Sequence, residues 1–426
     1  MLSIRGNTVS CPGRSRLRTG IGGTFLAASF CTLAATIPAQ ALAVVQQVAS
    51  AQQPAARGAA PIVLAQAGPT AERRSRQPGT GRVAASEGRD TRADGQRSEA
   101  PKLSVHAGLA RLNAPSDVNL KGLSWLLWYP TEQTEQVVDF GRVTARGAWD
   151  AKPLPGKHPL IVFSHGSGGS ALSHWQTARY LASKGYLVLT LVHPHDNVVD
   201  ASGRWTLPVL QARPKDWSRA LDTLLESRFG EWVDRQRIVA AGFAEGGYTA
   251  LVVAGVRPSS LALDRYCLGR EYPEAVCLSY DRTERLKLRF MDFVGMRRER
   301  LEGARDARVR AAIALAPPGS ALFNEHSLSQ LRMPVLLMQG SRDATFPFPN
   351  DACYVATLSG WYGDYRKLPG EHSVFMSVDP VTRENRALDG GLEATHQRIG
   401  AFLERALGNA EGGVRRGGTK TAIRCP

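Results

Sequence analysis

The stretch Arg237-Ile-Val-Ala-Ala-Gly-Phe-Ala-Glu-Gly-Gly247 decides the fold of this chain. Its first half is a short apolar run, which predicts a buried strand, and a helical pattern begins at its last residue. Between them, Gly242 and Gly246 bracket a tight turn, here called the elbow, with Ala244 at its centre. Strand, turn and helix in this order are the setting in which a G-x-S-x-G motif presents a nucleophile, but here the central residue is alanine.

Short apolar runs alternate with helical patterns from about residue 103 to residue 410. Several runs are apolar at consecutive positions, as strands buried on both faces are. The alternation predicts one α/β domain with a mostly parallel central sheet and helices on both faces. The predicted strands cover 124–128, 159–163, 186–192, 237–241, 309–315 and 334–338, and the predicted helices cover 171–184, 212–227, 247–255 and 391–407.

Three further segments place polar groups at the ends of predicted strands. The strand 159–163 is followed by the glycine-rich loop Ser164-His-Gly-Ser-Gly-Gly169, where a free backbone N–H can stabilise an oxyanion. Asp343 follows the strand 334–338, and His372 comes later in the chain. The order of turn, acid and histidine is that of an α/β-hydrolase triad.

A long polar segment from Arg257 to Asp306, here called the insertion, interrupts the alternation. Insertions of this length in compact domains are commonly functional, so we expect a lid. The insertion contains Cys267 and Cys277, which are close in sequence and able to pair as a disulfide in an oxidising compartment. Two free thiols in a loop are the alternative.

The formal net charge of +15 is concentrated outside the predicted domain. Residues 1–102 carry +8 and residues 411–426 carry +3, which leaves +4 on the residues between them. No nucleic-acid recognition motif accompanies this charge, so we expect no nucleic acid as a partner. Both 44–102 and 411–426 lack a sustained apolar period and are predicted to be a disordered linker and a disordered tail.

The first 43 residues have the pattern of a secretory signal peptide. Four arginines precede an apolar, small-residue run from Ile21 to Ala43, whose end offers two signal-peptidase sites. An uncleaved membrane anchor is the alternative, but Pro38, Gln40 and the scarcity of leucine disfavour a stable span. We therefore expect export to the periplasm or the exterior, with no stable membrane span after signal removal.

These segments together are similar to the α/β-hydrolase superfamily over about residues 103–408. They resemble most specifically the predicted dienelactone-hydrolase group, which also resembles the platelet-activating-factor acetylhydrolases. The resemblance implies hydrolysis of a small acyl ester or lactone, without an organic cofactor and without a metal. It rests on Trp128-Tyr-Pro-Thr131, Pro159 to Gly166, His193-Pro194, Arg213-Pro-Lys-Asp216, Gly242 to Leu251 and the loops of Asp343 and His372.

The resemblance also implies a role for each residue of the site. His372 is the general base, Asp343 orients it, and the backbone amides of Ser167 and Glu245 form the oxyanion hole. The glycines that allow the backbones to come close in the elbow and the oxyanion loop are Gly166, Gly168, Gly242, Gly246 and Gly247.

The chain departs from the family at the nucleophile and at the acid. Ala244 stands where the family has serine or cysteine, and removing a triad nucleophile costs about 10⁶-fold in kcat. The acetylhydrolases carry their acid after an earlier strand, near Ala316 here, whereas Asp343 has the dienelactone-like position. We therefore expect a strongly impaired serine-esterase-type hydrolase or, alternatively, a non-catalytic exported pseudoenzyme that binds ligand on the same fold.

Three other interpretations of the missing hydroxyl are open. Glu245 and Thr249 are close in sequence, but we expect Glu245 to point off the turn and Thr249 to lie one helical turn on. The run His193-Pro-His195-Asp196 offers ligands for zinc-bound hydroxide, but a plain loop after the fourth strand is the favoured interpretation. Ala244 as an engineered replacement of serine is the third interpretation, and it implies that the parent enzyme is active. The signal-peptide pattern of the first 43 residues favours a naturally occurring alanine instead.

Overall fold

The computed structural model describes residues 104–269, 275–277, 279–328, 331–359, 363–379, 382–387, 389–408 and 425. The chain divides into two units, 1–94 and 95–426, and all described residues belong to the second. The predicted signal peptide and linker lie outside the described residues, and so does the predicted tail except for Cys425.

Ten strands of the described residues form one sheet. In chain order they are β1 (His106–Leu112), β2 (Trp125–Thr131), β3 (Gln136–Asp139), β4 (Thr144–Trp149), β5 (His158–Ser164), β6 (Leu187–Thr190), β7 (Val233–Phe243), β8 (Val309–Leu315), β9 (Val335–Gly340) and β10 (Gly363–Leu368). Their order across the sheet is β10-β9-β8-β7-β5-β6-β2-β1-β4-β3. The six strands from β5 to β10 are mutually parallel, whereas β2 and β3 run against their neighbours.

Helices connect the parallel strands. The helices of the described residues are α1 (Trp175–Ser183), α2 (Leu207–Glu226), α3 (Glu245–Val253), α4 (Ser260–Leu268), α5 (Arg282–Phe293), α6 (Ala352–Ser359) and α7 (Gly390–Leu407). The chain steps from β5 to β6 in one direction and from β6 to β7 in the other. Parallel crossovers are right-handed in nearly all proteins, so these two steps place α1 and α2 on opposite faces of the sheet. The predicted α/β fold with a mostly parallel sheet is confirmed.

The core consists of the apolar runs on which the strand predictions rested. Leu160, Ile161 and Val162 of β5 are fully buried, as strands covered on both faces require. On α2, Trp217 and Leu221 are fully buried, and the indole N–H of Trp217 donates to the carbonyl oxygen of Val162 at 3.2 Å. This contact fixes the long helix against the strand that carries the oxyanion loop.

The sequence prediction lacks the strands β1, β3, β4 and β10, the helix α6 and the helices of the insertion. The edge strand β3 is short and largely exposed, and the other edge strand, β10, contains Asp364, Arg366 and Lys367. Such strands lack the continuous apolar run that marks a central strand. Within the insertion, α4 and α5 flank a short 3-10 turn, Ala275–Cys277.

Two disulfides are present among the described residues. The sulfur atoms of Cys267 and Cys277 are bonded within the insertion. Cys353 of α6 is bonded to Cys425, 72 residues further along the chain. The second pair ties the end of the predicted disordered tail to the domain, which the composition of the tail does not predict. No helix in the described part of the chain has the length and apolar character needed to cross a membrane.

Strand β5 marks the point where the order of the sheet reverses. After β5 the chain forms β6 on one side of β5, and it later forms β7 on the other side of β5. Loops that leave neighbouring parallel strands in opposite directions open a crevice at their carboxyl ends, and ligands bind there in open α/β sheets. The loop after β5 and the elbow after β7 face each other across this crevice.

Candidate active site

The elbow has the backbone conformation of a nucleophile turn. Ala244 has φ 50° and ψ −115°, an uncommon conformation for a residue with a side chain, and it directly precedes α3. A Cβ on Gly242 would lie 2.1 Å from the carbonyl oxygen of Gly246, and a Cβ on Gly246 would lie 2.0 Å from that of Ser164. The sharp turn therefore requires glycine at both positions. The turn also places the methyl group of Ala244 beside Gly166, where a Cβ added to the glycine would lie 3.2 Å from that methyl group.

Asp343 and His372 form a hydrogen-bonded pair. Asp343 follows β9 and His372 follows β10, and the Nδ1 atom of His372 lies 2.6 Å from Oδ2 of Asp343. The other carboxylate oxygen accepts from the amides of Thr345 and Phe346 at 2.9 and 3.2 Å. Because Nδ1 faces the carboxylate, Nε2 is the nitrogen that can accept a proton from a substrate or nucleophile. Ala316, at the end of β8, has no carboxylate to offer.

One cavity of about 590 Å³ is lined by five of the predicted site residues. Its wall includes Ala244, His372, Ser167 and Glu245. The ring of Phe346 lies edge-on to the imidazole of His372, with 5.1 Å between the ring centroids. Aromatic groups of this kind supply apolar wall to a pocket in which a few polar groups orient the ligand.

The insertion lies beside this cavity in the structure. None of its described residues lines the cavity wall, although Ser279 donates a hydrogen bond to the carbonyl oxygen of Trp205, which does. The reason is the direction of α3, which begins at the elbow and leads away from it before the insertion starts. A nine-residue helix is about 13 Å long, so the insertion begins well away from Ala244.

The predicted oxyanion donor Ser167 already has an acceptor. Its N–H donates to the side-chain oxygen Oε2 of Glu245 at 2.9 Å. We expected Glu245 to point off the turn, and this expectation is wrong. A buried carboxyl group needs hydrogen-bond donors, and the Ser167 amide is the donor that the oxyanion loop provides. The amide of Glu245 itself is the first of α3, where helix geometry leaves N–H groups without an intrahelical acceptor.

A buried ion pair lies behind the oxyanion loop. Arg213 is fully buried and donates from Nη1 to Oδ2 of Asp196 at 2.8 Å. Its guanidinium also donates to the carbonyl oxygen of His165 and to the hydroxyl of Thr249. Oδ1 of Asp196 accepts from the hydroxyl of Ser167 and from the amide of Gly168 at 2.9 and 2.8 Å. The sequence did not predict this ion pair, although Arg213 belongs to the segment Arg213-Pro-Lys-Asp216 on which the family resemblance partly rests.

Burial controls the protonation of the groups around this pair. Burial raises the pKa of Glu245, and the negative charge of Asp196 raises it further, while Arg213 opposes both effects. Burial likewise lowers the pKa values of His165 and His193, and the charge of Arg213 adds to this effect. Around the ion pair of Arg213 and Asp196, burial therefore shifts Glu245, His165 and His193 toward their neutral forms.

The run His193-Pro-His195-Asp196 does not gather its side chains at one point. His193 contacts Asp216 through Nδ1 at 3.2 Å, while His195 contacts Asp200 at 3.1 Å. Asp196 faces Arg213 instead. Among the residues that the structure describes, no group of three or more His, Cys, Asp or Glu side chains could hold a metal ion.

One comparison with known proteins finds a family for part of the chain. Residues 110–219 match the family described as platelet-activating factor acetylhydrolase, isoform II. This segment contains the oxyanion loop and Arg213 and ends before the elbow. A comparison with curated proteins finds no match. A solved ferulic acid esterase from Streptomyces cinnamoneus is 19% identical, with a TM-score of 0.48 over 76% of this chain and 97% of that chain. In its strand order and its elbow this chain has the architecture of the α/β-hydrolases, and over residues 110–219 it resembles the platelet-activating-factor acetylhydrolases.

Proposed function

We propose that this chain carries a serine-esterase-type site for small carboxylic esters or lactones that is blocked at two points. The first is Ala244, whose methyl group cannot attack a carbonyl carbon. The second is the carboxyl group of Glu245, which engages the oxyanion donor of Ser167. The observation that carries the proposal is the hydrogen bond between His372 and Asp343, because the imidazole of His372 lines the same cavity as Ala244.

A serine at position 244 would supply the missing nucleophile. Nε2 of His372 would take the hydroxyl proton as the serine oxygen attacks the ester carbonyl, and Asp343 would stabilise the imidazolium. The carbonyl oxygen would gain negative charge and require the amides of Ser167 and Glu245 as donors. His372 would then protonate the leaving alcohol, and water would release the acyl group by the same steps.

The test is p-nitrophenyl acetate hydrolysis by a set of elbow variants. We expect the unaltered chain to stay near the background rate and Ala244→Ser to gain modestly. Adding Glu245→Ala frees the Ser167 amide, and one oxyanion donor is worth roughly 10²–10³-fold in kcat. The matched control is Ala244→Ser with Glu245→Gln, whose amide oxygen can still accept from Ser167 and which should therefore not gain. Substantial activity in the unaltered chain would mean that the nucleophile is misassigned.

The second candidate function is ligand binding without turnover. The contact between Glu245 and Ser167 favours it, because an acceptor already occupies the position where a substrate oxyanion would sit. This function predicts that the folded double variant Ala244→Ser, Glu245→Ala stays silent in the esterase assay. It also predicts that the unaltered chain binds a non-hydrolysable acyl ketone in isothermal titration calorimetry, and that filling the cavity with Gly166→Leu abolishes the heat.

We also propose that the chain is exported to the periplasm or the exterior. The two disulfides support this, since such bonds persist in oxidising compartments. We expect N-terminal sequencing of the mature protein to start at Leu42 or Val44, immediately after one of the two predicted cleavage sites. An intact Met1 on protein recovered from the producing cells would contradict export by signal cleavage.

A further inference from the structure

The helix α5 of the insertion exposes a row of large apolar side chains. Leu286, Phe290 and Phe293 are 71%, 62% and 88% exposed. Their spacing of four and three residues places them along one side of the helix. Leu288 points to the opposite side and is only 5% exposed, so the helix is anchored by one apolar face and presents another outward. We call the row of three exposed residues the outer face of α5.

The outer face continues past the end of the helix. Val294 and Met296, which follow directly, are also exposed. Single exposed apolar residues are common on protein surfaces, but a contiguous group marks an interaction site. Five such residues within eleven positions form a group of this kind.

Cationic side chains flank the outer face on both sides. At 100° per residue, Arg282 and Arg289 lie along one edge of the apolar row and Lys287 lies along the other. Among the residues that the structure describes, neither of the two arginines has an ion pair. The segment from Asp281 to Arg300 carries seven Lys and Arg against four Asp and Glu, a net charge of +3.

The insertion holds the outer face in a fixed orientation. Asp281 begins α5 by accepting from the amide of Glu284 at 2.7 Å. Beyond the helix, Arg297 and Arg300 both pair with Asp264 of α4, a carboxylate that is almost fully buried. Tyr280 donates to the same carboxylate at 2.6 Å. Contacts at both ends of α5 therefore anchor it to α4, and the outer face needs no refolding before it binds.

We infer that the outer face of α5 docks the protein on an anionic lipid surface. An apolar row between two cationic edges is the pattern of helices that lie in a membrane interface, with the apolar residues among the acyl chains and the cations at the headgroups. Charge complementarity separates this occupant from a second copy of the chain. In a symmetric dimer the same cationic edges would face each other and repel.

The segment that leads into α5 contacts the wall of the candidate site. Ser279, two residues before the cap of α5, bonds to Trp205 in the cavity wall. The inference does not depend on the proposed function, because the outer face is built from residues that the site does not use.

The test is co-sedimentation of the full-length mature protein with vesicles. Vesicles of phosphatidylcholine with phosphatidylserine should bind the protein, and vesicles of phosphatidylcholine alone should bind it far less. Phe290→Ser with Phe293→Ser keeps every charge, including those of the basic linker, and should lower the partition coefficient by about tenfold or more. The control Val137→Ser removes an equally exposed apolar residue from β3 and should leave binding unchanged.

Two results would overturn the inference. One is equal partitioning of the double serine variant and the unaltered protein, which would assign any binding to charge alone. The other is a concentration-dependent dimer in light scattering that the double serine variant abolishes, which would assign the outer face to a second copy of the chain. Circular dichroism confirms that the variants fold, since the substituted side chains make few contacts with the domain.

Discussion

Ala244 has the backbone conformation of a nucleophile residue, but its methyl side chain cannot act as a nucleophile. A residue with a Cβ at φ 50° is strained, and such strain persists only where the surrounding structure imposes it. Here the close approach of Gly242, Gly246 and Ser164 imposes it, together with the hydrogen bond from the Ala244 amide to Leu315 at 2.8 Å. The geometry of the turn is therefore independent of the chemistry at its centre, which is why Ala244→Ser is expected to fold.

The stability of the domain should depend on pH through the buried side chain of His396. This histidine is buried on α7, stacks on Tyr180 and contacts the hydroxyl of Thr177 at 3.1 Å. Burial lowers its pKa to about 4. The unfolded chain takes up a proton below about pH 6.5, while the folded chain does not until about pH 4, so stability is lost as the pH falls through this window.

The measurement is the free energy of urea unfolding at several pH values. Between pH 6.5 and 4, His396→Gln should lower the slope of the unfolding free energy against pH by up to about 1.4 kcal/mol per pH unit. Asp216 contributes with the opposite sign, because burial raises its pKa to about 7, and it is unchanged in the variant. Parallel pH profiles for the variant and the unaltered protein would contradict a lowered pKa of His396 in the folded state.

At the scale of elements, Arg213 fixes the parts of the site to one another. It lies on α2, and its guanidinium bonds to loops that follow β5 and β6 and to α3. Three segments that are distant in sequence thus share one buried cation. The oxyanion loop is positioned indirectly, because Asp196 holds Ser167 and Gly168 while Arg213 holds Asp196.

Arg213→Met should destabilise the domain by about 3–5 kcal/mol, because it leaves the Asp196 carboxylate buried without a cation. The double variant Arg213→Met, Asp196→Asn should recover part of this loss. The matched control is Arg219→Met on the same helix, whose exposed pair with Asp117 should contribute little to stability because solvent screens it. Urea unfolding measures all three, and similar losses for Arg213→Met and Arg219→Met would rule out the buried pair as a structural centre.

At the scale of the whole molecule, the disulfide between Cys353 and Cys425 closes a far longer loop than that between Cys267 and Cys277. The sequence separations are 72 and 10. In the chain-entropy account a longer loop restricts the unfolded chain more. Cys425→Ser should therefore cost about 4 kcal/mol and Cys277→Ser about 3 kcal/mol of unfolding free energy. Thermal unfolding of the two variants, with peptide mapping of the oxidised protein, tests this order; an inverted order would contradict it.

Sequence reasoning reached the central strands because their apolar runs are continuous, as burial on both faces demands. It did not predict the edge strands β3 and β10, the strands β1 and β4 inside the sheet, or the helices α4, α5 and α6. It assigned the elbow, Asp343 and His372 to one site because of their order along the chain. It expected a lid over the site, whereas the described residues of the insertion pack beside the cavity.

The sequence by itself determined the α/β class, the glycine elbow and the absence of a nucleophilic side chain at its centre. These features are local, since apolar runs, glycine spacing and residue identity need no information about distant contacts. Only the tertiary structure decided that Glu245 faces Ser167, that Arg213 faces Asp196 and that α5 turns an apolar face outward. Each of these depends on where a side chain finds a hydrogen-bond donor or apolar cover in space, and positions far apart in the chain provide both.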